Sequence, residues 1–217
     1  MHRLGLWSGG SGPLTVLCLG AHSDDIEIGC AGTLLRWLHD FPSVEVTWVV
    51  LSAAGARAVE ARRSADALLR RAKSLEIVLG DFEDANLPGD FARAKAFLAA
   101  VRARTQADVV LTHRLEDRHQ DHRLLAEMTW QTWRDHLILE YEIPKYEGDL
   151  GQPNVFVSLS ATFAERKVRH LLRHFGSQRS KDWFRAETFE GLMRIRGIEC
   201  RAHSGFAEAF HARKMYL

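Results

Sequence analysis

The sequence has few cysteines, no long apolar run and almost no net charge. Cys18, Cys30 and Cys200 are an odd and widely spaced set, which argues against a disulfide framework and favours a reducing compartment, the cytoplasm. No run of ~18 apolar residues is present, so we expect neither a membrane span nor a signal peptide. With 29 basic and 28 acidic residues, the chain has no electrostatic footprint for a nucleic acid, which favours a small-molecule partner.

The length and the ordinary composition predict one globular domain. Apolar residues make up 46% and charged residues 26% of the 217 residues, both close to the globular average. Residues 1–13 include the stretch Ser-Gly-Gly-Ser-Gly and are predicted to be flexible, whereas residues 14–217 are predicted to form a single domain. The composition leaves assembly into a homo-oligomer open.

Short apolar runs alternate with helical segments through most of the chain. We predict strands at 14–19, 44–51, 75–79 and 107–112, and helices at 32–39, 57–73 and 90–105. This alternation predicts an α/β fold, a Rossmann-like doubly wound, mostly parallel sheet with helices on both faces. Residues 138–159 break the alternation, and we expect them to cap the sheet and shape a pocket. Two helices at 161–175 and 181–196 and a last strand or extended tail at 206–213 complete the prediction.

Two polar clusters follow predicted strands. The first contains His22, Asp24 and Asp25, directly after the strand at 14–19. The second, residues 112–122, reads Thr-His-Arg-Leu-Glu-Asp-Arg-His-Gln-Asp-His and holds three histidines and three carboxylates. Because ligands in open α/β sheets bind at the carboxyl ends of the strands, both clusters are candidates for one site.

Combined, the clusters offer two histidines and one carboxylate as metal ligands: His22, Asp25 and His122. Such a set, with open positions for water and substrate, suits Zn²⁺ or Fe²⁺. Asp24 is then better placed as the base that deprotonates a water. His119, as a cation, can support the oxyanion, and Asp121 can orient one of the histidine rings.

The same residues resemble the signatures of the PIG-L/LmbE-like N-deacetylases. Ala-His-Ser-Asp-Asp at 21–25, with Gly-Cys-Ala-Gly-Thr-Leu at 29–34, resembles AHPDD…GGTL, and His-Gln-Asp-His at 119–122 resembles HxDH. The resemblance implies Zn²⁺ bound by His22, Asp25 and His122, with Asp24 as the general base. It also implies His119 as the electrophilic helper and Asp121 as the partner that orients His119. Ser23 replaces the usual proline and Ala31 the first glycine of the pair, and neither change removes a ligand.

The resemblance implies a zinc-dependent N-deacetylase, a hydrolase of amide bonds. Its expected substrate is an N-acetylated amino sugar or sugar conjugate, such as a nucleotide- or lipid-linked one, from a surface-polysaccharide or secondary-metabolite pathway. Zn²⁺ is the expected cofactor, and Fe²⁺ or another divalent metal fits the same ligands. Arg57 lies where a member of the family would place an arginine that binds a sugar hydroxyl or phosphate, although pairing with Glu60 along a helix explains it equally well.

Two other functions remain open from the residues alone. A non-haem Fe(II) enzyme also uses two histidines and one carboxylate, but its usual β-rich fold conflicts with the alternating pattern. A metal-binding protein that has lost turnover is the second, and the presence of Asp24 and His119 argues against it. We do not assign His113 to the metal, because a position at a strand end explains it as well. Cys30 shows no Cys-His arrangement typical of a thiol nucleophile.

Overall fold

A computed structural model describes residues 12–215, so all but the last two residues of the predicted flexible segment 1–13 lie outside the described chain. The strands are β1 (Leu14–His22), β2 (Val44–Ser52), β3 (Ser74–Leu79), β4 (Val109–His113), β5 (Leu137–Tyr141), β6 (Val155–Leu159) and β7 (Phe206–His211). The α-helices are α1 (Asp25–Asp40), α2 (Gly55–Leu68), α3 (Phe91–Arg104), α4 (Gln120–Thr132), α5 (Ala161–His174) and α6 (Ala186–Glu199).

The strands form one sheet in the order β3-β2-β1-β4-β5-β7-β6. The first five are parallel, and β7 runs antiparallel to both β5 and β6. The chain runs outward from β1 to β3 and then returns to the other side of β1 with β4. The carboxyl ends of β1 and β4 therefore flank the topological switch point, where such sheets bind their ligands.

Helices cover both faces of the sheet. Val16 and Cys18 of β1 belong to a core shared with α1, α2, α5 and α6, whereas Leu17 and Leu19 belong to a second core with α3 and α4. A central strand with alternate side chains in two cores is typical of a doubly wound sheet. The predicted fold class, α/β with a mostly parallel sheet, is confirmed.

Helix α1 begins seven residues earlier than predicted, at Asp25 instead of residue 32, and is interrupted at Cys30 (φ −147°, ψ 15°). The buried ion pair of Lys167 and Glu208 contacts the backbone of α1 at this interruption. Glu208 accepts hydrogen bonds from the backbone N–H of Gly32 (2.9 Å) and Thr33 (2.6 Å). Lys167 Nζ donates to the carbonyl of Ile28 and to Glu208, at 2.6 Å each. Contacts from α5 and β7 thus satisfy backbone groups that the broken helix leaves unpaired.

Residues 138–159, expected to break the alternation and cap the sheet, contain two strands of the sheet itself. β5 is a full member of the parallel sheet, paired with β4 from Leu137 to Tyr141, and β6 lies at the edge. Only the connection between them, residues 142–154, has neither helix nor strand. Helix α2 ends at Leu68 instead of residue 73, α6 begins at Ala186 instead of residue 181, and the last predicted element is a strand, β7. None of the helices described has the length and apolar character needed to cross a membrane.

Candidate metal centre and active site

Four secondary-structure ends place the candidate residues together. β1 ends at His22 and β4 at His113, while α1 begins at Asp25 and α4 begins just after His119. Both motifs therefore lie at the carboxyl ends of β1 and β4, at the switch point of the sheet.

The donor atoms of the three predicted ligands face one another. His22 Nδ1 lies 3.1 Å from His122 Nε2 and 3.3 Å from Asp25 Oδ2, and His122 Nε2 lies 3.5 Å from Asp25 Oδ2. A tetrahedral metal with bonds of ~2.0–2.1 Å requires donor atoms ~3.3–3.4 Å apart. The triangle has this size, so the three side chains fit Zn²⁺ or a divalent ion of similar radius. A fourth coordination position would remain for water or substrate.

Carboxylates surround His22 and make the site strongly attractive to a cation. His22 Nε2 lies 3.1 Å from Asp121 Oδ2 and 3.0 Å from Asp84 Oδ1. Burial acts to lower the pKa of His22, but the negative charges of Asp25, Asp121 and Asp84 raise this pKa well above its ordinary value. The same charges favour a divalent cation between the ligands.

Asp121 contacts a different ring from the one expected. Its carboxylate faces His22 and accepts hydrogen bonds from the backbone N–H of Ala85 (2.8 Å) and Leu87 (3.0 Å). Only the backbone N–H of Asp121 points toward His119, and it donates to His119 Nδ1 at 3.3 Å. The first turn of α4 points the Asp121 side chain at the segment 84–87, so this carboxylate orients His22 and not His119.

His119 is the N-cap of α4, and its ring lies among the histidines of the site. Because Nδ1 accepts the hydrogen bond from Asp121, the fitting neutral tautomer carries its proton on Nε2. The ring lies edge-on to His22 and is stacked on His122, with centroids 4.9 and 4.5 Å away. Burial and the charge of His22 lower the pKa of His119, which favours a neutral hydrogen-bond donor over the expected cation.

Asp24 is buried beside the ligand triangle and is held by Arg57. Its Oδ1 accepts a hydrogen bond from Arg57 at 2.9 Å. Burial and the charge of Asp25 raise the pKa of Asp24, against the opposing charges of Arg57 and His22. A raised pKa brings a carboxylate closer to the range in which it acts as a base near neutral pH.

Arg57 contacts the site and not its helix neighbour. It donates to Asp24 and, at 2.8 Å, to Asp84, whereas Glu60 accepts hydrogen bonds from the backbone N–H and the hydroxyl of Ser177. The alternative of an Arg57–Glu60 pair along the helix is therefore wrong.

Three residues of the site were not assigned from the sequence. His113 Nε2 lies 3.1 Å from Asp25 Oδ2, and the His113 ring is stacked on that of His122 with centroids 3.9 Å apart. Asp117 Oδ2 lies 3.1 Å from His122 Nδ1. Asp84 reaches His22 and Arg57 from the mouth of the site. The position of His113 at the end of a strand could have identified it from the sequence. Asp117 could have been identified by its place five residues before His122, but no sequence pattern marks Asp84.

Cys30 takes no part in this cluster. Its thiol donates to the carbonyl of Ile26, and burial together with the neighbouring Cys18 raises the pKa of the thiol well above its ordinary value. A buried thiol of this kind is a poor nucleophile, in agreement with the sequence analysis.

Comparison with known proteins identifies the family. A family model described as PIG-L, GlcNAc-PI de-N-acetylase, matches residues 17–133, which is more than half of the chain and includes both motifs. The chain belongs to the PIG-L family. The predicted resemblance is confirmed, and membership makes this PIG-L protein a hydrolase of amide carbon–nitrogen bonds. No curated protein sequence gives a significant match.

Solved structures share the PIG-L fold at low sequence identity. N,N'-diacetylchitobiose deacetylase from Pyrococcus horikoshii is 19% identical over 91% of this chain and 83% of its own, with a TM-score of 0.69. A zinc-inhibited form of teicoplanin deacetylase Orf2 is 13% identical over 91% and 97%, with a TM-score of 0.69. GalB, the 4-carboxy-2-hydroxymuconate hydratase from Pseudomonas putida KT2440, is 16% identical over 94% and 98%, with a TM-score of 0.68. One of the three is a hydratase, so fold likeness alone does not assign the reaction.

Proposed function

We propose that this PIG-L protein is a zinc-dependent N-deacetylase that hydrolyses the acetamide of an N-acetylated amino sugar or sugar conjugate. The observation that carries the proposal is the triangle of donor atoms from His22, Asp25 and His122, set beside the buried carboxyl of Asp24. The likeness to a deacetylase of diacetylchitobiose, an acetylated amino sugar, supports this substrate class.

His22, Asp25 and His122 would hold the metal. When bound, Zn²⁺ polarises the amide carbonyl and lowers the pKa of an attacking water to ~7. Fe²⁺ suits the same ligands, so the metal that the protein carries as purified decides between the two.

Asp24 acts as the general base and then as the general acid. It accepts a proton from the attacking water and delivers it to the nitrogen of the leaving amine. Arg57 fixes Oδ1 of Asp24 at 2.9 Å and so holds the carboxylate in one orientation. His119 donates from Nε2 to the oxyanion that forms at the acetyl carbon, and the products are acetate and a free amine.

Arg57 and Asp84 would contact the sugar at the mouth of the site. The two side chains form an ion pair at 2.8 Å, in which Asp84 is 56% exposed and Arg57 is 22% exposed. A guanidinium beside an accessible carboxylate offers donors and acceptors to neighbouring sugar hydroxyls.

All three cysteines are free, which supports a working place in a reducing compartment, the cytoplasm.

One experiment tests metal, reaction and substrate together. The protein is purified without added metal, its metal content is measured, and release of free amine is screened over N-acetylated sugars and nucleotide sugars. We expect a stoichiometric divalent metal and amine release from at least one substrate, with both lost in His122→Ala. Amine release that persists in His122→Ala would contradict the proposal, and iron-dependent oxygen consumption would favour the Fe(II) alternative.

A further inference from the structure

The carboxylate of Asp117 joins the two histidines of the second motif. Oδ2 accepts a hydrogen bond from His122 Nδ1 at 3.1 Å, and Oδ1 accepts one from the backbone N–H of His119 at 2.8 Å. The Asp117 side chain is only 4% exposed. Since a ligating histidine is oriented by the partner of its other ring nitrogen, Asp117 sets the direction of His122 Nε2.

Lys145 holds Asp117 from the opposite side. Its ammonium group lies 3.0 Å from Asp117 Oδ2 and 2.6 and 2.7 Å from the two carboxylate oxygens of Asp149. The Lys145 and Asp149 side chains are 7% and 6% exposed, so the cluster is shielded from water. Buried charges of this kind keep one geometry, because losing a partner leaves the other charge uncompensated.

Asp149 attaches the whole connection 142–154 to the segment before α4. Its Oδ2 accepts a hydrogen bond from the backbone N–H of Arg118 at 2.7 Å, and its carbonyl accepts one from the Arg114 guanidinium at 2.6 Å. The turn that brings Lys145 and Asp149 together contains Gly148 at φ +59°, a conformation that favours glycine. The connection lies beyond residues 17–133 that match the family.

We propose that Lys145 is a positioning residue: clamped by Asp149, it fixes Asp117 and through Asp117 the ring of His122, so that the connection 142–154 sets the metal affinity of the site. This inference rests on the proposed function, because it takes His122 as a metal ligand. It assigns a role to a part of the chain that carries none of the motif residues.

The test compares Zn²⁺ affinity by chelator competition in the full chain and in variants. Lys145→Met should weaken Zn²⁺ binding by up to the ~10–100-fold that losing the direct partner of a ligand costs, because Asp117, which contacts His122, loses the cation that holds it. Lys145→Arg keeps a cation beside Asp117 and should bind closer to the native value. Lys73→Met, which removes a lysine whose side chain is 59% exposed, is the matched control and should bind as the native protein does.

Two further measurements separate positioning from a folding defect. Co²⁺ in place of Zn²⁺ should give an altered visible spectrum in Lys145→Met and an unaltered one in Lys73→Met, because the spectrum reports ligand geometry. Thermal unfolding of the metal-free proteins checks the fold, and if Lys145→Met is unfolded, Asp149→Asn is used in its place with the same expectation of weakened binding.

The outcomes distinguish this inference from the proposed function. His122→Ala should abolish tight Zn²⁺ binding, and its failure to do so would overturn the ligand assignment itself. If His122→Ala abolishes binding while folded Lys145→Met, or Asp149→Asn in its place, binds Zn²⁺ within twofold of the native protein, only the role of Lys145 is overturned.

Discussion

Gly29 of α1 faces the ring of Tyr141 so closely that a Cβ on Gly29 would lie 2.3 Å from Tyr141 Cδ2. The ring is fixed, since its hydroxyl donates to the carbonyl of Leu19 at 2.7 Å. We therefore expect Gly29→Ala to lower the free energy of unfolding by ~1–3 kcal/mol through overpacking, measured by urea denaturation. Because Gly29 lies one helical turn after Asp25, we also expect weaker metal binding.

Gly191→Ala in α6 is the matched control for this change. An added Cβ at Gly191 meets nothing within 4 Å, so the same substitution should raise the free energy of unfolding by ~0.5–1 kcal/mol through helix propensity. Equal changes in the free energy of unfolding for the two variants would show that the contact with Tyr141 does not destabilise Gly29→Ala.

Asp24→Asn should remove the proposed base without removing a proposed metal ligand. We expect kcat to fall by ~10²–10⁴-fold with unchanged metal content, because an amide cannot accept the proton that the carboxylate takes. Asp66→Asn, on the exposed side of α2, is the control and should have native kcat. A value within threefold of native for Asp24→Asn would exclude Asp24 from proton transfer.

Lys167→Met should be among the most destabilising single changes in the chain. It leaves the carboxylate of Glu208, only 2% exposed, without its cation, and breaking such a pair costs ~3–5 kcal/mol. The double variant Lys167→Met/Glu208→Gln removes the unpaired charge but retains an acceptor for only one of the two backbone N–H groups, that of Gly32 or that of Thr33. It should recover part of the loss in urea denaturation, and a double variant no more stable than the single one would contradict the ion-pair argument.

His170 should make stability depend on pH in the acidic range. Burial and the charge of His174 lower the pKa of His170 to about 3, and His170 Nε2 lies 2.7 Å from Ser64 Oγ. In the unfolded chain a histidine titrates near ~6.5, so between these values the unfolded state binds more protons. The stability that comes from the lowered pKa of His170 is therefore fully present above pH ~6.5, and it declines as the pH falls toward 3.

The measurement is the free energy of unfolding between pH 4 and 7. His170→Gln should reduce the loss of stability on acidification, whereas His203→Gln, at an exposed position, should leave the native profile unchanged. Identical profiles for the native protein and His170→Gln would exclude this residue as a source of acid sensitivity.

The meeting of the two motifs could be anticipated from the sequence. His22 and His113 each follow a run of buried apolar residues, and parallel strands bring their carboxyl ends to one edge. The 3.6-residue repeat of α4, together with its N-cap at His119, places His122 on the same side. Local pattern was sufficient here because each residue is fixed by the element that ends or begins beside it.

Other parts of the site depend on contacts that no local pattern contains. The early start of α1 was missed because Gly29, Cys30 and Gly32 resemble a loop. The helix continues past them because Lys167 and Glu208, more than 130 residues away, form hydrogen bonds with its backbone. Asp84 reaches His22 from a segment without regular structure. The prolines after β5 suggested a cap over the sheet, although β5 itself is a buried strand within it.

The position of β7 between β5 and β6 has a consequence for biosynthesis. A chain made from its N-terminus carries His22, Asp25 and His122 well before Glu208 emerges. Until then, the interruption in α1 has no carboxylate to satisfy Gly32 and Thr33, and β6 has no partner strand within the described sheet. The proposed metal ligands are thus synthesised early, but the helix that carries Asp25 reaches its final form only when the last strand is added.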